Sequence, residues 1–350
     1  MHFTFKPLSE HTGAEILDVD LKSIPNKTII RELNQIFSKY SVLVIRNQNL
    51  NPNEFYNSAK IFGKIFNQHN KKFALKENNL VHYISNKDKF EDGKPYIPGE
   101  GYHTDHSNDL SPPKATILHA KLLPSIGGDT QFVNMHLVYN ELPLNLKNKI
   151  KSLEALHVYQ SSLSKRKLMS LTKEIKNLTE VIHPLIKVHP ENKKICLYIN
   201  PIRIEKIIGL STRETITLLD ELMYYVSKPK NEYRHIWKDG DFVIWDNRIL
   251  MHKANGDYDE SAKTFTLNVA QSCPATPGQE DKDVYHSSLF NDTVNALTGL
   301  GYKPHHAKKA CSELEEKGEL QGPIEDIIKV AKKGGMFILV DDEKRENEGD

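Results

Sequence analysis

Three side chains that lie far apart in the sequence have the chemistry to bind one divalent metal ion together. His103 and Asp105 form a His-x-Asp segment, and His252 follows an apolar stretch, residues 241–246, that is typical of a buried strand. Two imidazoles and one carboxylate on one side of a metal ion leave further coordination positions open. The three residues are therefore a candidate facial triad, whose open positions suit a bidentate 2-oxo acid and O2.

The His-x-acid pattern is not specific by itself. The chain has 16 histidines and 46 acidic residues among 350, so about two such matches are expected by chance. Two occur, and the second, His189-Pro-Glu191, runs into a polar segment that predicts an ordinary turn. On residue type alone, His252 is more readily explained as a packed or surface histidine than as a ligand.

The elements that must position these residues begin with helices around one strand. Apolar residues at spacings of three and four predict a helix over residues 27–40. The β-branched run over residues 41–46 predicts a buried strand. A second helix is expected from Pro52, with Asn51 as its N-cap, and it should end at Gly63.

From about residue 114 the pattern changes to short apolar segments bounded by Gly, Pro, Asn or Asp. Helical stripes are predicted over residues 144–156 and 211–226. Together these features favour a mainly β fold with inserted helices, in the form of a β-sandwich or jelly-roll barrel. The predicted strands are residues 115–123, 130–134, 195–199, 241–246 and 265–271.

Composition is that of a soluble globular protein. A formal net charge of +1 and 27% charged residues are not those of a disordered chain or of one that coats nucleic acid, although charge alone identifies no partner. We expect a small-molecule substrate and no nucleic-acid partner. We find neither a signal-peptide pattern nor an apolar run long enough for a membrane span. The three cysteines are far apart and indicate no disulfide framework, so we expect a cytoplasmic protein.

Longer segments around the candidate triad resemble the taurine/2-oxoglutarate dioxygenase (TauD/TfdA) family. One runs from Gly101-Tyr-His-Thr-Asp-His106 through Pro112-Pro-Lys-Ala-Thr-Ile-Leu-His-Ala-Lys121 to Leu123-Pro-Ser-Ile-Gly-Gly-Asp-Thr130. Another is Trp245-Asp-Asn-Arg248, followed by His252. Similar segments occur in the family's order from about residue 3 to residue 272. The resemblance implies a double-stranded β-helix, a jelly roll of the clavaminate synthase-like type. It also implies Fe(2+), 2-oxoglutarate and O2, with oxidation of a C–H bond and release of succinate and CO2.

The resemblance also assigns roles to individual residues. His103, Asp105 and His252 match the family's iron ligands. Thr130 falls where the family uses a threonine hydroxyl to bind 2-oxoglutarate. Lys263 stands 11 residues after His252, where the family typically has an arginine that pairs with the distal carboxylate of 2-oxoglutarate. Lysine cannot form the same bidentate pair, so we expect Lys263 to substitute with a differently shaped contact.

Further departures concern the primary substrate. Leu267 occupies the position where taurine-type enzymes carry a second arginine, and Gly99 and Gly101 replace polar residues before the first histidine. A buried sulfonate without a cationic partner costs several kcal/mol. These departures argue against taurine as the substrate. His69 falls in a region that lines the substrate pocket in relatives and is a substrate-binding candidate, although a surface histidine explains it equally well.

The C-terminal residues resemble a second family. Residues 341–350 match the Asp-Asp-Glu-x-Arg-Glu-Asn-Glu-Gly-Asp motif near the start of 3,4-dihydroxy-2-butanone-4-phosphate synthase. On composition alone, the segment is an ordinary solvated acidic tail. We expect a dioxygenase domain over residues 1–275, a linker or helical extension over 276–322, and a truncated start of a synthase-like domain over 323–350.

Two alternatives to the dioxygenase function stay open at this point. The first is a non-catalytic barrel that binds a metal or ligand without turnover, since fold alone does not determine function. The second is an oxygenase that uses a different 2-oxo acid, because Lys263 alters the site for the distal carboxylate. Members of the resembled family are often homo-oligomers, and the sequence does not decide the oligomeric state.

Overall fold

The computed structural model describes most of the first three-quarters of the chain. The chain divides into two compact units, Met1–Ala275 and Thr276–Asp350. Among the described residues, no helix is both long and apolar enough to span a lipid bilayer. The described residues are 3–68, 71–90, 93, 96–166, 168, 180–258 and 266–273, with helical positions 293, 294, 297, 307, 311 and 314 in the second unit.

The described part of the first unit is mainly β, with helices between the strands. The α-helices are α1 (Lys27–Tyr40), α2 (Pro52–Ala59), α3 (Met135–Glu141), α4 (Leu144–Ile150) and α5 (Thr212–Val226). The first strands are β1 (Phe5–Pro7), β2 (Ala14–Ile16), β3 (Val42–Ile45), β4 (His82–Ser85), β5 (Ala115–Leu122), β6 (Thr130–Asn134) and β7 (Glu154–His157). The later strands are β8 (Val181–Pro184), β9 (Ile186–Val188), β10 (Ile195–Leu197), β11 (Ile204–Ile207), β12 (Glu232–His235), β13 (Phe242–Asp246), β14 (Leu250–Ala254) and β15 (Thr266–Ser272).

Two sheets matter for the site. The large sheet has the strand order β1-β2-β3-β13-β5-β15-β4, and the small sheet has the order β12-β6-β14. Apart from the parallel pair β2–β3, the neighbouring strands in both sheets are antiparallel. Strands that are distant in sequence therefore become neighbours, which brings residues near 116, 132 and 252 into one region.

The large sheet is covered on both faces. Along β3, Val42 and Val44 belong to a core shared with the small sheet, because side chains alternate between faces. The intervening Leu43 and Ile45 belong to a second core, which includes buried residues of α1 and α2. Burial on both faces explains why the central strands of this sheet are continuous apolar runs rather than alternating ones.

Local signals account for most of the predicted elements. The helix predicted over residues 27–40 is α1, and the predicted N-cap Asn51 begins α2 with a capping box to Glu54. α2 tightens into a 3-10 turn, Lys60–Phe62, before the expected end at Gly63. All six predicted strands exist, with ends shifted by at most two residues.

One predicted element was wrong in its extent. The helix predicted over residues 144–156 ends at Ile150, and residues Glu154–His157 form strand β7 instead. β7 pairs with β8 and β11, which are distant in sequence, so tertiary pairing outweighs the local helical stripe.

Candidate active site

The two histidines of the candidate triad are joined through their backbones. His103 and His252 form an isolated antiparallel bridge, in which the N–H of each residue donates to the carbonyl of the other, at 3.0 and 2.8 Å. His252 lies in β14, whose neighbour β6 places Phe132 directly across from it. The irregular segment that carries His103 and Asp105 is thus tied to a regular sheet.

The three side chains converge in a manner that suits a metal ion. One ligand atom from each of His103, Asp105 and His252 lies within 4.8 Å of the other two. The Nε2 atoms of His103 and His252 lie 3.5 and 3.8 Å from the Asp105 carboxylate oxygens. His103 Nδ1 donates to the carbonyl of Gly101 at 2.9 Å, since a carbonyl can only accept. This tautomer leaves Nε2 with a free lone pair that faces the cluster.

The protonation states also suit a metal site. Burial, followed by the charge of His103, lowers the pKa of His252 to about 3, so its imidazole is neutral. Burial opposes ionisation of Asp105, but the neighbouring His252 and His103 outweigh it and lower the carboxyl pKa well below its usual range. A neutral imidazole beside a carboxylate is the donor set that divalent first-row metals bind. The residues present therefore fit a metal ion.

A polar chain behind Asp105 holds its carboxylate in place. Thr116 of β5 donates its hydroxyl to Asp105 Oδ2 at 2.5 Å. The Thr116 oxygen in turn accepts from Asn247 Nδ2 at 2.9 Å and from Gln271 Nε2 at 3.2 Å. Thr104 donates to the Asn247 carbonyl at 2.7 Å, which ties the His-x-Asp turn to the same chain. These contacts restrict the rotation of the carboxylate.

Each residue of the Trp245-Asp-Asn-Arg248 segment has a different structural role. The Trp245 ring packs against the imidazole of His252, with centroids 4.6 Å apart. Buried Asp246 accepts from Arg248 Nη2 at 2.6 Å and from His189 Nε2 at 3.0 Å. Asn247 belongs to the polar chain behind Asp105. The segment therefore supports the candidate site without supplying a ligand.

The triad opens into a cavity of about 250 Å³, lined by residues of both sheets and of the loops beside them. Thr130 of β6 pairs with Ala254 of β14, two residues beyond His252, so Thr130 and His252 face the same side of the small sheet. The Thr130 oxygen accepts from Trp237 Nε1 at 3.1 Å, which leaves its own hydroxyl proton available to a ligand. The structure thus brings the predicted Thr130 beside the triad.

The facing wall comes from the large sheet and is mostly apolar. Leu267 and Val269 of β15 line it, and Leu267 pairs with Ala120 of β5. Because leucine carries no charge, position 267 supplies no cation to the cavity. Arginine side chains enter the cavity elsewhere, from Arg166 and Arg203.

Two predicted site residues, His69 and Lys263, lie outside the described residues. The sequence analysis assigned no role to several residues that line the cavity: Thr116, Arg166, Arg203 and Gln271. Thr116 lies in a segment that resembles the family, whereas no quoted segment contains the other three. The sequence analysis named Asn247 as part of Trp245-Asp-Asn-Arg248, but it did not predict that Asn247 supports Asp105. A cross-strand register between β5 and β13 would have been needed to find that pairing.

Comparison with known proteins gives two family matches. The family model described as "Taurine catabolism dioxygenase TauD, TfdA family" matches residues 4–271, which is more than half of the chain. A second model, described as "RuvA, C-terminal domain", matches residues 288–331. That second match crosses the boundary predicted between residues 322 and 323.

Two curated relatives align over most of their length. An alpha-ketoglutarate-dependent 2,4-dichlorophenoxyacetate dioxygenase of Cupriavidus pinatubonensis is 28% identical, covering 75% of this chain and 95% of that protein. An alkylsulfatase of Acinetobacter baylyi is 27% identical, covering 90% of this chain and 93% of that protein.

Solved structures of similar proteins also superpose over most of this chain. A taurine dioxygenase from Burkholderia xenovorans superposes with a TM-score of 0.65 at 28% identity, covering 80% of this chain and 93% of that one. The structure of AAD-2 in complex with Mn(II) and N-oxalylglycine superposes with a TM-score of 0.67 at 25% identity, covering 80% and 100%.

Proposed function

This chain belongs to the TauD, TfdA dioxygenase family, and we propose from its site that it works as a non-haem Fe(II), 2-oxoglutarate-dependent dioxygenase. The reaction oxidises a C–H bond of a small organic substrate and releases succinate and CO2. The observation that carries the proposal is the convergence of His103, Asp105 and His252 at one end of a cavity.

In this proposal His103, Asp105 and His252 hold the iron. When bound, the iron with 2-oxoglutarate and O2 supplies the oxidising chemistry, and the cosubstrate leaves as succinate and CO2. The chain contributes the orientation of its ligand atoms. Gly101 sets the His103 tautomer, and Thr116 holds one oxygen of Asp105, so neither ligand has to reorganise when a metal binds.

The cavity contributes exclusion of water and placement of the substrate. Trp245, Leu118 and Val269 line the same cavity as the triad with apolar surface, which limits the access of bulk water to the reacting atoms. A substrate enclosed in this way presents one C–H bond to the metal-binding face, and the enclosure thereby favours reaction at one position.

We assign the binding of 2-oxoglutarate to Thr130 and Lys263. Thr130 supports this role because its hydroxyl donates to no acceptor among the described residues, and because it lies on the same face of the small sheet as His252. The role of Lys263 is inferred from the family resemblance alone. A lysine attracts the distal carboxylate as a point charge, so a shorter or longer 2-oxo acid is a second candidate cosubstrate.

Several broader properties belong to the same proposal. The two sheets that share one core support a double-stranded β-helix of the jelly-roll type. Cys196 and Cys273 form no disulfide among the described residues, which supports a reducing, cytoplasmic location. We propose a small molecule as the ligand, no nucleic-acid or membrane partner, and a homo-oligomeric assembly. The synthase-like start at residues 323–350 stays a prediction.

The test is an anaerobic titration of the purified chain with Fe(II) and 2-oxoglutarate. Bidentate chelation at the metal produces a weak visible charge-transfer band, which we expect in the wild type and not in His103→Ala. Lys263→Ala should weaken the band. His11→Ala is the matched control, because the His11 side chain is 54% exposed and does not belong to the cavity lining.

The outcomes separate the candidate functions. A band followed by succinate formation in air supports the dioxygenase. Iron binding without a band for any member of a 2-oxo acid panel would favour a non-catalytic metal-binding barrel. A band with another 2-oxo acid, and none with 2-oxoglutarate, would identify the alternative cosubstrate.

A further inference from the structure

Arg166 extends into the cavity from the loop that follows β7. Its carbonyl accepts from Gln160 Nε2 at 3.0 Å and from Ser164 Oγ at 3.2 Å. Gln160 Oε1 also accepts from the backbone N–H of Leu168 at 2.7 Å. These bonds hold the backbone on both sides of Arg166, so the base of its side chain is fixed relative to the cavity.

The side chain of Arg166 passes over the backbone in front of His103. A Cβ placed on Gly101 would lie 4.0 Å from Arg166 Cδ, and Gly101 has a positive φ of +79°. That distance is an ordinary van der Waals contact. The Arg166 side chain therefore lies directly beside Gly101, two residues before His103.

The guanidinium of Arg166 has an unused donor group. Nη2 donates to the carbonyl of Ile97 at 3.3 Å. Nη1 is buried and has no hydrogen-bond partner among the described residues. A buried N–H group that lacks an acceptor costs free energy, and an anion that accepts from Nη1 would remove that cost.

Two other charged residues of the cavity, Arg203 and Asp88, are less suited than Arg166 to bind an anion. Arg203 donates Nη1 to the carbonyl of Tyr159, and its guanidinium lies 4.6 Å from the centroid of the Tyr159 ring. Asp88 also lines the cavity, and its carboxylate would repel an anion. Among described cavity residues, Arg166 therefore offers the clearest site for an anion, and apolar Leu267 offers none.

We propose that Arg166 binds the anionic head group of the primary substrate in place of a residue at position 267. This inference rests on the proposed dioxygenase function. The substrate class is an organic monoanion with a carboxylate, sulfonate or sulfate head group. Its apolar body packs against Tyr96, Ile97 and Leu168, which line the same cavity. The cavity of about 250 Å³ limits that body to a single ring or a short chain.

The test is equilibrium dialysis with three absorbing probes under anaerobic conditions, with the protein loaded with Fe(II) and 2-oxoglutarate. The probes are 4-nitrophenoxyacetate, 4-nitrophenyl sulfate and the neutral 4-nitrophenoxyacetamide. Wild type should bind at least one acid more tightly than the amide, and the better acid identifies the head group. Arg166→Gln should weaken that acid by about 10- to 100-fold, the effect of one hydrogen bond to a charged group. The affinity for the amide should not change.

Two further variants make the result specific. Arg166→Lys keeps the charge and should retain part of the preference for the acid. Lys165→Gln is the matched control, since Lys165 is the exposed neighbour and its loss changes net charge equally. We expect Lys165→Gln to bind all probes as wild type does.

The visible 2-oxoglutarate band distinguishes failure of this inference from failure of the proposed function. Arg166→Gln should keep the band, which also shows that the variant is folded. Loss of the band in Arg166→Gln alone would assign Arg166 to the cosubstrate and overturn the inference. Equal binding of acid and amide by wild type, or no binding of either acid, would also overturn it. Absence of the band in wild type, with the acid preference retained, would reject only the dioxygenase.

Discussion

Two segments of the molecule share the His-x-acid pattern and end in different environments. In the first, His103 and Asp105 face a cavity and converge with His252. In the second, His189 is buried against Asp246, and its Nδ1 accepts from the backbone N–H groups of Glu191 and Asn192, as a turn requires. Glu191, the acid of the second segment, pairs with cationic side chains instead of lying beside the His189 ring.

The difference shows what converts such a pattern into a candidate metal site. Glu191 forms ion pairs with Arg248 at 3.0 Å and with Lys114 at 3.1 Å, so its charge is already balanced by cations. Asp105 has only histidines and a hydroxyl donor as close described partners, and its charge remains available to a metal ion. A third ligand, and the lack of a lysine or arginine ion pair to the acid among the described residues, distinguish the first segment from the second.

The largest expected effect comes from removing the acid of each segment in turn. Asp105→Asn should abolish the visible band with Fe(II) and 2-oxoglutarate, because the amide cannot supply the anionic ligand. Glu191→Gln should leave the band unchanged. The anaerobic titration measures both variants, and a normal band in Asp105→Asn would contradict the proposed ligand set.

Removing His189, the histidine of the second segment, should change the stability of the protein and not its metal binding. We expect His189→Leu to lower the free energy of unfolding by about 2–3 kcal/mol, because it deprives the buried Asp246 carboxylate of a donor. Urea unfolding at neutral pH measures the change, and the visible band serves as the control. A stable variant that loses the band would show that His189 takes part in the metal site after all.

The polar chain behind Asp105 should have a smaller effect on metal affinity. Thr116→Val keeps the shape of the side chain and removes the hydroxyl that donates to Asp105. We expect Fe(II) affinity to fall by about 10- to 100-fold, as is typical for a group that orients a ligand. Thr28→Val, on the surface of α1, is the control variant. Unchanged affinity in Thr116→Val would mean that the cavity wall alone positions the carboxylate.

The smallest expected effect concerns a histidine buried in its neutral form. Burial, followed by the charge of Lys187, lowers the pKa of His183 from 6.5 to about 4. Below pH 6.5 the unfolded chain binds a proton that the folded chain excludes, so stability falls as the pH drops. Between about pH 7.5 and about pH 5.5 this histidine should cost about 1 kcal/mol.

His183→Phe tests this acid sensitivity in metal-free protein. Its loss of unfolding free energy between the two pH values should be about 1 kcal/mol smaller than that of wild type. An identical loss in both proteins would show that other groups dominate the acid response. His11→Ala, at an exposed position, should respond as wild type does.

The sequence predicted regular elements well wherever the signal was local. α1, α2 and α5 begin at recognisable N-caps, namely Asn26, Asn51 and Ser211, which accept from the first backbone N–H groups. Short strands whose partners are distant in sequence were harder to predict. β7 was predicted as the end of a helix, and its partners β8 and β11 were not predicted at all.

By itself, the sequence determined the mainly β class, the major helices and the residue types of the candidate triad. These depend on local spacing and on segments that resemble one family, which the match over residues 4–271 confirms. Only the tertiary structure decided that His103 and His252 share a bridge, that Thr116 holds Asp105, and that Arg166 reaches the cavity. Strand register and loop placement decide such contacts, and both depend on packing between residues that no local pattern links.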